Sequence, residues 1–520
     1  MNHWKNIFIN ILTLTFLFGW TGLPLEPNHP AHVYLRRQAA LGNVPLSILS
    51  KAPISTIHTA ISLSNINTSL SNRLLRDLGL PIKQSGLIHP FQKHALSGIS
   101  KSFFKFDPNE PASHFLSVAQ DTLTFWADWI EHGSLSGKDS EKKYFKDQLS
   151  VQGILYDKVY AYSRFIMHRI TGKDPAFAQD YQNEWTRFFP DINMSIWYTS
   201  EASFYIKNQL FDIEIARTPY SWGWSTTQSP IIASAAVPFS RVALYKTLGS
   251  FRLQALHGSL LYSSIDSTHQ SNIKKEKYVA AHRLEWDMSS NMTVSFTEMA
   301  LYGDRPPEIG YINPVSLYWA QEHNLGDLDN IIMAADMAWR IRPGFIFYHT
   351  LLWDELSWLD LFKDWWGNKF VYQIGSFYAP KNIRLPDIRL EYTQCRPWVY
   401  THSDFPFSHA GQLIGFPYGP SSRVLRLETF WFPTDRIELE ASLEKIEKGT
   451  GFGSDVSDNY DKRDRSLDLS TPLLLEPIEE SFRLYVKSGI LLTDMLKIQL
   501  LVHNDMNQTV FYDLGLIFNW

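Results

Sequence analysis

The sequence predicts an all-β transmembrane barrel of 16–18 antiparallel strands behind a small N-terminal α-helical module. Three observations carry this: the apolar alternation of the carboxyl end, the parity of the breaks between strand-like runs, and an export signal with no helical span after it. At the carboxyl end, Val510, Tyr512, Leu514, Leu516, Phe518 and Trp520 occupy every second position, with Thr509, Asp513, Gly515 and Asn519 between them. Only Phe511 and Ile517 interrupt the pattern. Period two places the first set on one face of a strand. A tilted strand of ~9–11 residues crosses a bilayer as part of a barrel. Closure also removes the exposed edge that a terminal strand would otherwise present.

At the amino end, Met1 to Lys5 is short and basic, and Ile7 to Trp20 is an apolar run of signal-peptide length. A spanning helix needs ~20 apolar residues, so residues 1–22 read as a signal peptide. An uncleaved anchor or a buried helix is the alternative. No later stretch is continuously apolar enough for a helical span. The 520 residues carry a formal net charge of -5, which leaves no basic footprint for nucleic acid. One cysteine, Cys395, excludes an internal disulfide framework and a Cys-rich metal site. Aromatic residues make up 14% of the chain, which suits the girdles of a barrel and also suits a glycan-binding protein.

Residues 23–150 read as a helical module on the periplasmic side. Helical spacing appears near His32 to Leu41, ending at Gly42, and near Thr56 to Leu78, closing at Gly79-Leu80-Pro81. The clearest amphipathic pattern is Ala112 to His132, after Pro111, with Phe115, Val118, Ala119, Thr122, Phe125, Trp126, Trp129 and Ile130 on one face. The module forms its own core, or it caps or enters the barrel mouth as a plug.

Residues 151–520 read as the barrel. Sixteen strand-like runs are visible: 151–169, 195–206, 209–217, 240–248, 250–264, 277–289, 291–303, 330–342, 345–356, 368–380, 383–398, 422–433, 436–449, 481–493, 495–505 and 508–520. Two more fit inside long breaks, at Tyr311 to Trp319 and Ile231 to Val237. Tight breaks such as Gly249-Ser250, Ser290-Asn291, Pro343-Gly344 and Thr493-Asp494 alternate with breaks of about ten residues or more, the final break near Asn504 to Asn507 being the exception. Short turns on one side and long loops on the other mark an outer-membrane barrel, the short side being periplasmic. Placing the carboxyl end in the periplasm puts every tight turn there.

Along the strands, apolar and charged residues alternate, as in Ile388, Leu390 and Tyr392 against Arg389 and Glu391. A sandwich and a barrel share this period. In a barrel the charged face lines the lumen, which assigns Arg283, Glu285, Arg340, Arg389, Glu391, Glu438 and Glu440 to the interior. Both signs are present, which favours salt-bridge networks in a filled barrel over a filter for one ion sign.

Catalytic signatures are sparse: no G-x-S-x-G, H-E-x-x-H or P-loop occurs. The paired acids Asp354-Glu355 and Glu479-Glu480 are adjacent, so on a strand they point to opposite faces, unlike the facing carboxyls of a glycosidase. Asp455, Asp458, Asp461, Asp464 and Asp468 lack the spacing of a calcium loop and read as a solvated loop. No metal or other cofactor is expected. Sugar recognition needs flat aromatic faces beside polar groups. Two long breaks supply these: Trp358, Asp360, Lys363, Asp364, Trp365 and Trp366, then Trp398, Tyr400, His402, Asp404, His409, Gln412 and Tyr418. Trp365, Trp366, Trp398, Tyr400 and Tyr418 are the candidate polysaccharide-binding rings, with an interfacial aromatic belt as the other reading.

Three stretches resemble the Wzi-like capsule-assembly family of outer-membrane proteins. The first is Arg217-Thr-Pro-Tyr-Ser-Trp-Gly-Trp, including Trp222 and Gly223, running on through Ser229 to Pro238-Phe239-Ser240. The second is His282-Arg283-Leu284-Glu285-Trp286, then Ser295-Phe296-Thr297-Glu298, Tyr302-Gly303 and Ile312-Asn313-Pro314. The third is Asn330 with Asp336, followed by Leu352-Trp353-Asp354-Glu355. The similarity covers most of the chain, with its specific motifs between 217 and 355. It implies an eighteen-stranded barrel closed on its periplasmic side by helices, and a lectin-like role in attaching or organising surface polysaccharide. Arg217, Trp222, Gly223, Glu298, Asn313, Pro314, Asn330 and Asp336 match the family pattern, as ligand contacts or as fold-keeping residues. The expectation is a monomeric, non-enzymatic outer-membrane protein whose partners are membrane lipid and surface or capsular polysaccharide. A porin-like channel for small solutes is the alternative.

Overall fold

The computed structural model describes residues 23–25, 29–52, 54–66, 68–78, 116–120, 123–136, 142–171, 187–262, 276–355, 363–493, 496–504 and 510–519. The expected signal peptide, Pro111, Phe115, Trp358, Asp360 and Trp520 lie outside these.

Eighteen antiparallel strands close into one barrel. In chain order they are β1 Leu123–Ser136, β2 Lys142–Leu155, β3 Val159–Thr171, β4 Met194–Ile206, β5 Asp212–Arg217 and β6 Ser240–Leu248. Next come β7 Phe251–Leu260, β8 Lys277–Ser289, β9 Met292–Gly303, β10 Asn330–Arg342, β11 Phe345–Glu355 and β12 Lys369–Tyr378. The last six are β13 Asp387–Cys395, β14 Ser422–Thr434, β15 Ile437–Gly449, β16 Ile478–Leu491, β17 Leu496–Asn504 and β18 Val510–Asn519. The seam is β18 on β1, in register from Asp513↔Ser136 to Asn519↔Ile130.

Which face meets lipid is decided by exposure. Leu284 is 45% and Leu390 47% exposed, whereas Arg283 and Arg389 between or beside them are 0% and 2%. Apolar residues outside and charges inside invert the order of a water-soluble sandwich and suit a bilayer. No helix among the described residues is long and apolar enough to cross a membrane.

The helical reading of Ala112 to His132 is corrected: Leu116–Gln120 pairs with the start of β1, and Leu123–Ser136 is β1 itself. Trp126 is buried in the lumen while Trp129 and Leu135 face outward. An inward tryptophan breaks the binary alternation and leaves apolar residues at 125, 126, 129 and 130, which mimic helical spacing. The barrel therefore begins near residue 123 rather than 151, and the helical module ends before it. The run 151–169 straddles a tight turn at Tyr156 and Asp157, both with φ 51, that separates β2 from β3. Neither proposed hidden strand exists: 309–325 contains two helices, and 231–237 is a loop folded inward.

Helices α1 (Pro30–Leu41), α2 (Thr56–Ser64) and α3 (Ser69–Asp77) fill the mouth at the short-turn end. His29 Nδ1 accepts from the Ala31 N–H at 3.1 Å, and Pro30 occupies the first turn, where a missing N–H costs nothing. Gly42 ends α1 at φ 92, a left-handed cap that favours glycine. Charged residues tie this unit to the wall. Arg37 donates to Asp387 and to the Pro380 carbonyl, and Arg73 pairs with Glu438 at 3.1 Å.

Candidate functional site

An 18-stranded barrel is wide enough to leave an aqueous channel, so the contents of its lumen decide what it can do. Here chain enters from both ends. Past α1, Lys51–Ala52 pairs antiparallel with Ser221–Trp222 of the long connection between β5 and β6. The Gly223 N–H donates to the Ser50 carbonyl at 2.9 Å, at a residue whose φ of 112 favours glycine. The same connection then meets the one between β13 and β14: Ala233 N–H donates to Ile414 O at 2.9 Å, and Tyr400 Oη to Pro230 O at 2.7 Å. A hydrogen-bonded column thus runs from the helical module to the long-loop end.

The inward charges lock this column to the wall. Ser225 donates to Glu391 at 3.0 Å, Gln228 to Glu444 at 2.7 Å, and Tyr348 to Glu391 at 2.6 Å. Arg389 and Arg426 share Glu428 at 3.1 and 2.6 Å. Arg283 reaches across β9 to hold Asp336 with two bonds of 2.6 and 2.8 Å, and also holds Glu285 at 2.9 Å. Buried ions persist only when paired in this way. Glu438 and Glu440 face the helical module, Glu440 lining a cavity of about 20 Å³ with Val33, Arg36 and Glu428, room for about one water. Arg340, expected in a lumen network, instead donates to the Ala39 carbonyl of α1 at 2.7 Å and to Ser290 O at 2.7 Å. It fastens the end of the helix to a short turn.

The five candidate rings separate into two groups. Trp398 and Tyr400 are 4% and 0% exposed, so their faces are not open to a glycan. Trp398 packs on Phe452 and over Gly453, and the Tyr400 amide donates to Asp354 at 2.6 Å. Tyr418 is half-buried, with its hydroxyl held by Glu444 and Arg483. Trp365 and Trp366 remain half-buried at the long-loop end, edge to face with centroids 5.9 Å apart. Tyr460, from the β15–β16 connection, stands 5.7 Å from Trp366, and the Arg463 guanidinium lies 3.5 Å from its ring centroid. Lys369 pairs with Glu355 at 3.1 Å and faces the Tyr460 ring at 4.4 Å. Beside it, burial and then the Lys369 charge hold the His402 imidazole down at about 4, so it is neutral at neutral pH. Its Nδ1 accepts from the Asp404 and Phe405 amides. Tyr460 and Phe452, the latter exposed, were missed from sequence because they sit on a polar, aspartate-rich loop with no aromatic clustering of its own. Those aspartates build turns: Asp458 accepts from Gly453 and Asp455, and Asp468 pairs with Arg463.

Several positions matching the family pattern make hydrogen bonds within the fold. Arg217 donates to the Pro238 carbonyl, Trp222 Nε1 to Gln254, and Asn330 to the Phe405 carbonyl. In the β9–β10 connection lie α4 (Ile309–Ile312) and α5 (Tyr318–Leu325), with Asn313 ending α4 and Pro314 following it. Glu298 accepts from the first two amides of α5, Tyr318 and Trp319, at 2.9 and 2.8 Å. A carboxylate there satisfies orphan donors and complements the helix dipole. Glu298→Ala is expected to destabilise this loop by roughly 1–3 kcal/mol. Limited chymotrypsin digestion of the folded barrel should then cut within 304–329 several-fold faster, and an unchanged cutting rate would argue against the cap.

No family model matches the sequence, and no curated protein matches it. Among solved structures, the chain is similar to Wzi, described as an outer-membrane protein involved in group 1 capsule assembly in Escherichia coli and a carbohydrate-binding β-barrel. That likeness has a TM-score of 0.54 and 12% identity over 96% of this chain and 99% of that one. OccK5 (OpdH) of Pseudomonas aeruginosa follows at TM-score 0.42 and 10% identity, over 77% of this chain and 98% of that one. OprD of the same organism stands at 0.39 and 10%, over 77% and 94%. The chain therefore has the closed, eighteen-stranded fold of outer-membrane β-barrels.

Proposed function

We propose that the protein is a non-enzymatic, monomeric outer-membrane barrel that binds or organises exported polysaccharide at the cell surface, with α1–α3 toward the periplasm. The observation that carries this reading is the lumen filled from both ends. Solute passage needs a water path, and the hydrogen-bonded column with its paired charges occupies that space. The long-loop end then offers Trp365, Trp366, Tyr460 and Phe452 as aromatic surface. Flat rings flanked by Arg463, Asp364 and Glu355 suit the apolar faces and hydroxyl edges of sugars. The likeness to Wzi, itself described as carbohydrate-binding, and the motifs between 217 and 355 support capsular polysaccharide as the ligand and membership of that family.

Two measurements on the detergent-solubilised protein test this. On immobilised capsular polysaccharides it should be retained, and the glycan should be recovered uncleaved. In planar bilayers it should show no sustained open-pore conductance. A steady open channel without glycan retention would replace this reading by that of a porin.

A further inference from the structure

Helix α5 carries a feature that the glycan-binding reading does not use. The helix ends at Gly326 with φ 102, and Asp327 also has a positive φ, 61. This reversal, sealed by the Asp327 N–H on the Glu322 carbonyl at 3.1 Å, turns the Asp327 carboxylate back over the last helical turn. One oxygen each from Glu322 and Asp327 and a ring nitrogen of His323 lie within 4.8 Å of one another. Acidic corners of this kind are common on surfaces, so two further observations matter.

The first is Glu322 itself. It is only 7% exposed, and among the described residues its carboxylate has no hydrogen-bond donor and no cationic partner. The nearby donors Arg305 and the Tyr311 hydroxyl are taken up by Asp329, itself a second anion beside Glu322. A buried carboxylate without a counter-charge is costly, and a bound cation removes that cost. The second is the orientation of His323. Its Nδ1 lies 2.8 Å from the Trp319 carbonyl, which can only accept. The ring proton therefore sits on Nδ1, and Nε2 keeps its lone pair. Metal-ligating histidines are commonly oriented by just such a bond on the other nitrogen.

We propose that Glu322, His323 and Asp327 form a binding site for one divalent cation of the Zn2+ class at the long-loop end of the barrel. Two carboxylates match the charge of the ion, and the imidazole selects a borderline transition metal over calcium, which prefers an all-oxygen set. Three protein ligands leave a coordination position for water.

The test uses the full-length protein in detergent, stripped with a chelator and titrated with ZnCl2, CoCl2 and CaCl2. Calorimetry should find one more Zn2+ site in the native protein than in the triple variant Glu322→Gln, His323→Ala, Asp327→Asn. His323→Ala alone removes an exposed side chain that the fold does not need, and should weaken that site by roughly tenfold or more. Visible Co2+ absorption should fade in parallel, while heat-modifiable migration on gels confirms an intact barrel. Equal stoichiometry and affinity in the native protein and in His323→Ala would overturn the proposal. So would a site that takes Ca2+ in preference to Zn2+. Glycan retention is read separately, so loss of either result leaves the other standing.

Discussion

Asp336→Ala is expected to lower the unfolding free energy of the barrel by about 3 kcal/mol, the lower end of the 3–5 kcal/mol seen when one partner of a buried ion pair is removed. Arg283 has no exposed surface, and Asp336 supplies two of its four bonds, at 2.6 and 2.8 Å. Thr297 and Glu285 supply the others, at 2.9 Å each. Glu285 remains in the variant, which is why the loss falls at the low end; it is already shared with Arg252 at 2.9 Å. Urea unfolding in micelles, followed by tryptophan fluorescence, measures the change. Replacing both partners, Arg283→Met with Asp336→Leu, should cost distinctly less, because no charge is then stranded. If the single variant cost no more than the double, Arg283 would be solvated in a way its burial denies.

The second large effect concerns binding. Trp365→Ala with Trp366→Ala should weaken retention on capsular polysaccharide at least tenfold, about 1.4 kcal/mol. Aromatic side chains dominate binding energy where they present a rigid face. The substitutions should leave the barrel folded: Arg463 keeps its ion pair with Asp468, at 2.8 and 3.0 Å, and Lys369 keeps Glu355. Tyr400→Phe serves as the control. It deletes a buried hydrogen bond to Pro230 O and touches no exposed ring, so it should cost stability and not retention. Unchanged retention in the tryptophan double variant would place the glycan elsewhere.

Much of the barrel was legible because strand character is written locally. Period two, the turn residues and the parity of the breaks are each read within ten or twenty residues, and they located sixteen of the eighteen strands, β3 to β18. Strands β1 and β2 escaped for a specific reason. In β1, Trp126 packs into the lumen core, and this large apolar side chain on the inward face interrupts the alternation that advertised the other strands. The hairpin between β2 and β3 turns on Tyr156 and Asp157, which adopt positive φ without the Asn-Gly pattern that usually signals it. The candidate rings were half legible. Aromatic clustering pointed to two long loops, yet it could not separate half-buried Trp365 and Trp366 from Trp398 and Tyr400 inside.

By itself, then, the sequence determined that this is a membrane barrel with helices ahead of it, because the repeat of one residue in and one out is a property of neighbouring positions. Only the tertiary structure decided that two long connections and the helical module meet inside the barrel, that Arg340 holds a helix rather than a wall charge, and which of the candidate tryptophans are buried. Those outcomes depend on contacts such as Arg37 with Asp387, 350 positions apart, and Tyr400 with Pro230, 170 apart. Pairings at that range are fixed by barrel closure and by the need to match every buried charge, and no local pattern records them.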